Sequence, residues 1–223
     1  MRIADACAMR GHEVHVYCII WDAPLPKNIA VSVAPTKAWS NHQRNKKFER
    51  WLKGQLSQHH VDAVVGFNKL PGLDFYYAAD PCYQEKALSQ RGPFYRLSNR
   101  YKHFYHQEKS VFGRHSKTEI LMISEAQKPF FIRHYNTPNA RFHLLPPGIS
   151  KDRIAPENAK EIRSAFRKEW ELADNENLML MIGSGFKTKG LDRALLGLNS
   201  LSSNLKQKTR FLIIGQDNPA PFN

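Results

Sequence analysis

Cysteine is scarce in this chain: Cys7, Cys18 and Cys82 are the only three in 223 residues. They are too few and too scattered for a disulfide framework and lack metal-ligand spacing, so packed or free thiols in a reducing compartment are expected. Long apolar runs are missing too. Nothing approaches the roughly 18 to 20 apolar residues that span a bilayer, and residues 1–5 lack the apolar core of a signal peptide, so a soluble, cytoplasmic protein is expected. Negative charge is the third shortage, with 33 Lys/Arg against 20 Asp/Glu and a net charge of +13. The excess is uneven: residues 1–150 hold 21 Lys/Arg and 11 Asp/Glu, a balance of +10. A basic first half implies a polyanionic partner, nucleic acid or an anionic membrane, and composition does not choose between them.

What is present reads as α/β. A hydrophobic fraction of 42% is enough for an ordinary globular core. Residues 1–10 read as a helix closed by Gly11, and 13–20 as a strand. Residues 28–35 read as a second strand and 41–60 as a helix with Phe48, Trp51, Leu52 and Leu56 on one face. The strand 62–67 opens at 68–74 into a Gly/Pro-punctuated turn, where open α/β sheets bind ligands, and the stretch ends on the acid Asp80.

Residues 91–117 are of another character, with seven Lys/Arg, one acid (Glu108) and six Phe or Tyr threaded among them. That is the composition of a helix lying in a membrane interface, with the aromatics as its apolar stripe. The alternative is that the aromatics are core and the charges a solvated face. Strands at 118–123 and 140–145 flank a helix that starts at Ser124, with Gln127 placed as in a capping box. Pro146-Pro147-Gly148 reads as an interdomain hinge, dividing the chain into 1–148 and 149–223. Past the helix 157–172, residues 178–182 read as a buried strand and 183–190 as a small-residue turn into the helix 191–201. Backbone NH groups of such a turn, beside Lys187 and Lys189, would suit an anion. The spacing is neither a P-loop nor a dinucleotide fingerprint. The strand at 210–215 follows, and a strand, helix, strand unit of this size is not expected to bury both faces of its sheet.

Four segments, R-G-H-E-V-H-V-Y (10–17), F-N-K-L-P-G-L-D-F-Y-Y-A-A-D (67–80), L-L-P-P-G-I (144–149) and I-G-S-G-F-K-T-K-G-L-D-R (182–193), resemble the retaining glycosyltransferases of family 4. The narrower likeness, carried by F-N-K-x-P-G-L-D and A-A-D, is to members that add glucose from UDP-glucose to the inner-core heptose of lipopolysaccharide. The resemblance implies a GT-B architecture of two Rossmann-like domains, acceptor on the first and nucleotide sugar on the second. It implies that Asp80 contacts the reacting sugars in a positioning and electrostatic role. Asn68, Lys69 and Asp74 would stand on an acceptor-side loop, and Gly183, Ser184, Lys187 and Lys189 would hold the UDP diphosphate. Arg96, Arg100, Tyr101, Lys102, Phe104, Tyr105 and Lys109 would meet the membrane, which makes the protein peripheral on the cytoplasmic face of the inner membrane. No metal and no cofactor is expected, nor nucleic acid as a partner. Thr188 stands where the family usually has an arginine. The first strand with its glycine turn and the acidic E-x7-E region are not in the sequence, so a partial, inactive fragment is the expectation. The competing readings are a non-catalytic binder of anionic membranes and, third, a nucleic-acid binder.

Overall fold

The computed structural model describes residues 2–149 and 153–222, and its contacts divide the chain into two compact units, 1–148 and 149–223. In the first unit, α1 (Arg2–Met9) ends where Gly11 turns left-handed at φ 88°. Only glycine enters that region without steric cost. The strands β1 (His15–Cys18) and β2 (Ala30–Val33) pair in parallel. Next comes α2 (Asn41–Gln58), its first turn capped by the Ser40 hydroxyl and Phe48 its one buried side chain.

A four-stranded parallel sheet follows, in the order β3 (Val65–Gly66), β4 (Phe75–Ala78), β5 (Glu119–Met122) and β6 (Phe142–Leu144). Between β4 and β5 the chain forms α3 (Tyr83–Gln90), a 3-10 turn (Pro93–Leu97) and α4 (Asn99–Phe112). Between β5 and β6 it forms a 3-10 turn (Glu125–Gln127) and α5 (Lys128–Tyr135). Tyr76, Ile120 and Met122 from the central strands meet Val111 and Phe112 of α4 and Phe131 of α5, all essentially without exposure. The Phe112 and Phe131 rings stack with centroids 3.6 Å apart. Each such side chain contributes about 1.5–3 kcal/mol by leaving water.

Two expectations change here. The strand read at 62–67 shrinks to Val65–Gly66 at the sheet edge, with Val65 exposed, because only β4 is there to pair with it. The capping box read at Ser124 does not close. Ser124 Oγ accepts from Ala126 N, while Gln127 Oε1 accepts from Cys82 N on a different element.

The second unit contains α6 (Ala159–Glu169), β7 (Asn177–Ile182), the single-turn α7 (Phe186–Lys189), α8 (Leu191–Asn199), α9 (Ser203–Gln207) and β8 (Thr209–Ile214). The strands β7 and β8 pair in parallel along all six residues. Residues 178–182, read as a buried strand, are half-buried to exposed, with Leu180, Ile182 and Ile214 each at least half accessible. Two strands and short helices leave apolar sheet surface open, as layer geometry requires.

Candidate functional site

Asp80 lies two residues beyond β4, at the carboxyl end of a parallel sheet, with its carboxylate exposed. The turn that carries it is pinned on both sides. Ala79 N bonds back to Tyr77 O at 3.0 Å, and Lys69 Nζ donates to Pro81 O at 3.0 Å. Asn68 and Lys69 follow β3 after Phe67, and because β3 and β4 are in parallel register they arrive at the same end as Asp80. The Phe67 and Tyr77 rings, 5.6 Å apart, mark that level.

Asp74 is elsewhere, which corrects its assignment to the acceptor-side loop. A parallel connection returns the chain from the carboxyl end of one strand to the amino end of the next. Residues 67–74 are that return, so Asp74 sits before β4, where its carboxylate accepts from Val64 N at 2.8 Å. Four residues of strand, about 13 Å at 3.3 Å each, separate it from the level of Ala78.

Behind the Asp80 turn is a group that sequence reasoning passed over. Glu108, with no exposed surface, pairs with Lys69 Nζ at 2.6 Å and accepts from Tyr83 N at 2.8 Å, Gln84 N at 2.9 Å and Tyr135 Oη at 2.6 Å. The two amides are the first NH groups of α3, where a helix favours negative charge. Lys69, with 11% of its side chain exposed, also lies near the faces of Phe112 and Phe131. One carboxylate thus ties the 67–74 segment, the start of α3 and α5 to α4. Burial raises the Cys82 thiol to about 12, with the Glu108 charge adding to the shift. Burial likewise raises the Tyr76 phenol, helped by the charges of Asp80 and Glu108. A signal existed in the sequence: Glu108 is the lone acid of 91–117, and a solvated basic face has no need of it.

The same helix corrects part of the membrane set. Residues 101, 105, 108 and 112 share one face of α4, and that face looks into the core: Tyr101 is buried, donating to Gln84 Oε1 at 2.6 Å, and Tyr105 packs against the core cluster. They are structural because apolar rings at helical spacing found a sheet and α5 to cover. Arg96, Arg100, Lys102 and Lys109 are exposed, and Phe104 is half-buried beneath Arg100, whose guanidinium carbon is 5.4 Å from the ring centre. Within 91–117, Phe94 at 81% and Leu97 at 70% are the large apolar groups that stand out into solvent.

In the second unit, residues 183–190 form a glycine-built turn, with Gly183, Gly185 and Gly190 all at positive φ. It leads into the single-turn α7 and only then into α8, so the 191–201 helix does not begin at the turn itself. The turn is braced by the loop after β8: Gln216 N donates to Ser184 Oγ at 3.2 Å and Phe186 N donates to Asp217 Oδ2 at 2.7 Å. Lys187 and Lys189 are exposed, and the Lys189 stem runs beside Gly183. Among the described residues, no cluster of three or more His, Cys, Asp or Glu could hold a metal ion, and no helix is long and apolar enough to cross a membrane.

No protein-family model matches the chain. It is 40% identical over 222 residues to the lipopolysaccharide glucosyltransferase WaaG of Escherichia coli (strain K12), a match that covers 100% of this chain and 59% of the relative. A crystal structure of WaaG, described as a glycosyltransferase involved in lipopolysaccharide biosynthesis, superposes with a TM-score of 0.88 at 40% identity, covering 100% of this chain and 60% of that one. The chain therefore spans about three-fifths of the length of the proteins it matches. The likeness read from the four sequence segments holds over the whole chain, and its fold class is α/β of the GT-B type.

Proposed function

We propose that this chain carries glycosyltransferase chemistry of the lipopolysaccharide core, moving glucose from UDP-glucose to an inner-core heptose with retention. The observation that carries the reading is the match over 100% of the chain at 40% identity, which includes Asp80 and the 183–190 turn. Asp80, exposed at the carboxyl edge of the sheet, orients the reacting sugars and stabilises positive charge that develops as the bond to the diphosphate breaks. Gly183 and Ser184 line the diphosphate with backbone NH groups, and Lys189, helped by Lys187 in place of the absent arginine, offsets the charge on the leaving UDP. The chemistry uses no metal and no cofactor beyond the nucleotide sugar.

Docking belongs to the same reading. Arg96, Arg100, Lys102 and Lys109, with Phe94 and Leu97, hold the protein on an anionic membrane, at the cytoplasmic face where the acceptor is made; nucleic acid is not the partner. Basic residues near such a surface contribute about 1 kcal/mol each.

The test is transfer of labelled glucose from UDP-glucose to core lacking that sugar by a version extended to the length of the relatives, run with and without EDTA, alongside calorimetric titration of the present chain with UDP. Transfer indifferent to EDTA is expected, as is UDP binding weakened about tenfold or more by Lys189→Ala, the worth of a hydrogen bond to a charged group. UDP binding that ignores Lys189→Ala would remove the diphosphate assignment. A donor other than UDP-glucose would replace the substrate.

A further inference from the structure

Lys86 and Arg91 take no part in the site described above, yet they converge with Arg100 on one surface concavity of about 270 Å³. Its walls are Tyr83, Tyr95 and Phe104. The Tyr83 and Tyr95 hydroxyls hydrogen-bond at 2.9 Å, fixing the two rings that close one side. The guanidinium carbon of Arg91 stands 5.6 Å from the Tyr95 ring centre, and that of Arg100 5.4 Å from Phe104. Stacking on a ring face leaves the guanidinium edge free to donate in its plane. No carboxylate lines the concavity. Glu85, next to Lys86 on α3, is engaged by His134 at 2.6 Å and Arg133 at 3.8 Å on α5, and Glu108 is enclosed in the core. Three cations therefore face a common space with no anion among the described residues that line it.

We infer that this concavity binds the phosphomonoester headgroup of a membrane lipid, with Arg91 and Arg100 as forks on the phosphate oxygens and Lys86 as the third charge. A terminal phosphate presents three equivalent oxygens and up to two charges, which matches three converging cations; a diester offers two oxygens and one charge. The lipid source follows from the neighbourhood. Phe94 and Leu97, 81% and 70% exposed, lie on the same 3-10 turn as Tyr95, so apolar side chains reach outward beside the anion site. A soluble phosphate would give those side chains nothing to enter. This inference deepens the membrane-docking part of the proposed function and does not depend on the transferase part.

Sedimentation with phosphatidylcholine vesicles doped with phosphatidic acid, or with phosphatidylglycerol at matched surface charge, tests it on the full chain. The expected result is tighter binding to phosphatidic acid. The double variant R91Q/R100Q should lower that affinity about tenfold or more. The control K46Q/R50Q removes the same charge from the exposed face of α2 and should leave the preference intact. All four positions are exposed, and equal melting temperatures will show that folding is unaffected. Equal binding to the two lipids, with both double variants losing affinity alike, would overturn the pocket while leaving diffuse membrane docking in place. Binding of glycerol 3-phosphate without any vesicle binding would overturn the lipid assignment and the docking reading together. Absence of binding to every probe would overturn both as well.

Discussion

The turn that carries Asp80 and the turn at 183–190 are both loops at the carboxyl end of a parallel strand, and they are held by opposite means. Behind Asp80 lies a charged web, with the fully enclosed Glu108 taking donors from Lys69, Tyr83, Gln84 and Tyr135. The 183–190 turn has no such interior. It rests on close backbone approach, since a Cβ at Gly215 would lie 2.3 Å from Gly183 O, and on contacts from Ser184 and Asp217 that stay near solvent. The difference follows from what covers each sheet. The first unit has a four-stranded sheet under helices and affords a dry interior where one carboxylate organises several elements. The second has two strands with Leu180, Ile182 and Ile214 in the open.

The largest effect should come from breaking the web. Glu108→Ala leaves the Lys69 ammonium without its counter-charge, and two helix amides and the Tyr135 hydroxyl without their acceptor. Removing one partner of a buried pair costs about 3–5 kcal/mol. Urea denaturation followed by circular dichroism should show that loss in the first unit. The double variant Lys69→Met with Glu108→Leu should recover a large part of it, because no lone charge is then enclosed. A midpoint unmoved by Glu108→Ala would erase the contrast between the two turns.

Next in size is Gly215→Ala. The new methyl meets Gly183 O at 2.3 Å and Gly183 C at 2.8 Å, backbone atoms that do not rotate away. Overpacking of this kind costs about 1–3 kcal/mol. It should loosen the second unit and lower UDP affinity with no change in the first. If UDP binding survives intact, the brace from the loop after β8 is not what shapes the turn.

Much of this arrangement was legible in the chain. The alternation of apolar and turn residues located most strands and helices, and Gly11, Gly183 and Gly190 marked the places where the backbone turns left-handed. The F-N-K and A-A-D segments were read at the carboxyl end of a parallel strand, and Asn68, Lys69 and Asp80 stand at that end of the sheet. Three things were not legible, each because a local pattern was overridden by tertiary partners. Asp74 looked contiguous with Asn68, but the parallel return carries it to the other end of the sheet. Tyr101 and Tyr105 looked like a membrane stripe, since sequence spacing does not say whether a helix face meets lipid or its own sheet. Lys69 and Glu108 are 39 residues apart, and only the packing of α4 against α5 and the start of α3 joins them.

The smallest expected effect separates the units by pH. All ten histidines lie in the first 148 residues, so protonation between pH 5 and 7 acts mainly on one side of the comparison. His103 on α4 is the informative one. Burial lowers it from its ordinary value of 6.5; on α2, Glu49 opposes the shift while His42 and Lys46 reinforce it, and His106 on its own helix reinforces it as well. Its Nε2 is buried without a hydrogen-bond partner. The fold therefore prefers the neutral ring, and the unfolded chain binds the proton more readily. Stability from this group is complete above 6.5, erodes as pH falls below it, and is fully lost only beneath the lowered folded value. Melting curves of the first unit should decline between pH 7.5 and 5, and His103→Gln should flatten part of that decline. Melting of the second unit, which has no histidine, should stay level over the same range. Parallel pH profiles for the parent and His103→Gln would mean that the α2 and α4 interface is wet enough to solvate the imidazolium, and the dry interior would then stop at the Glu108 web.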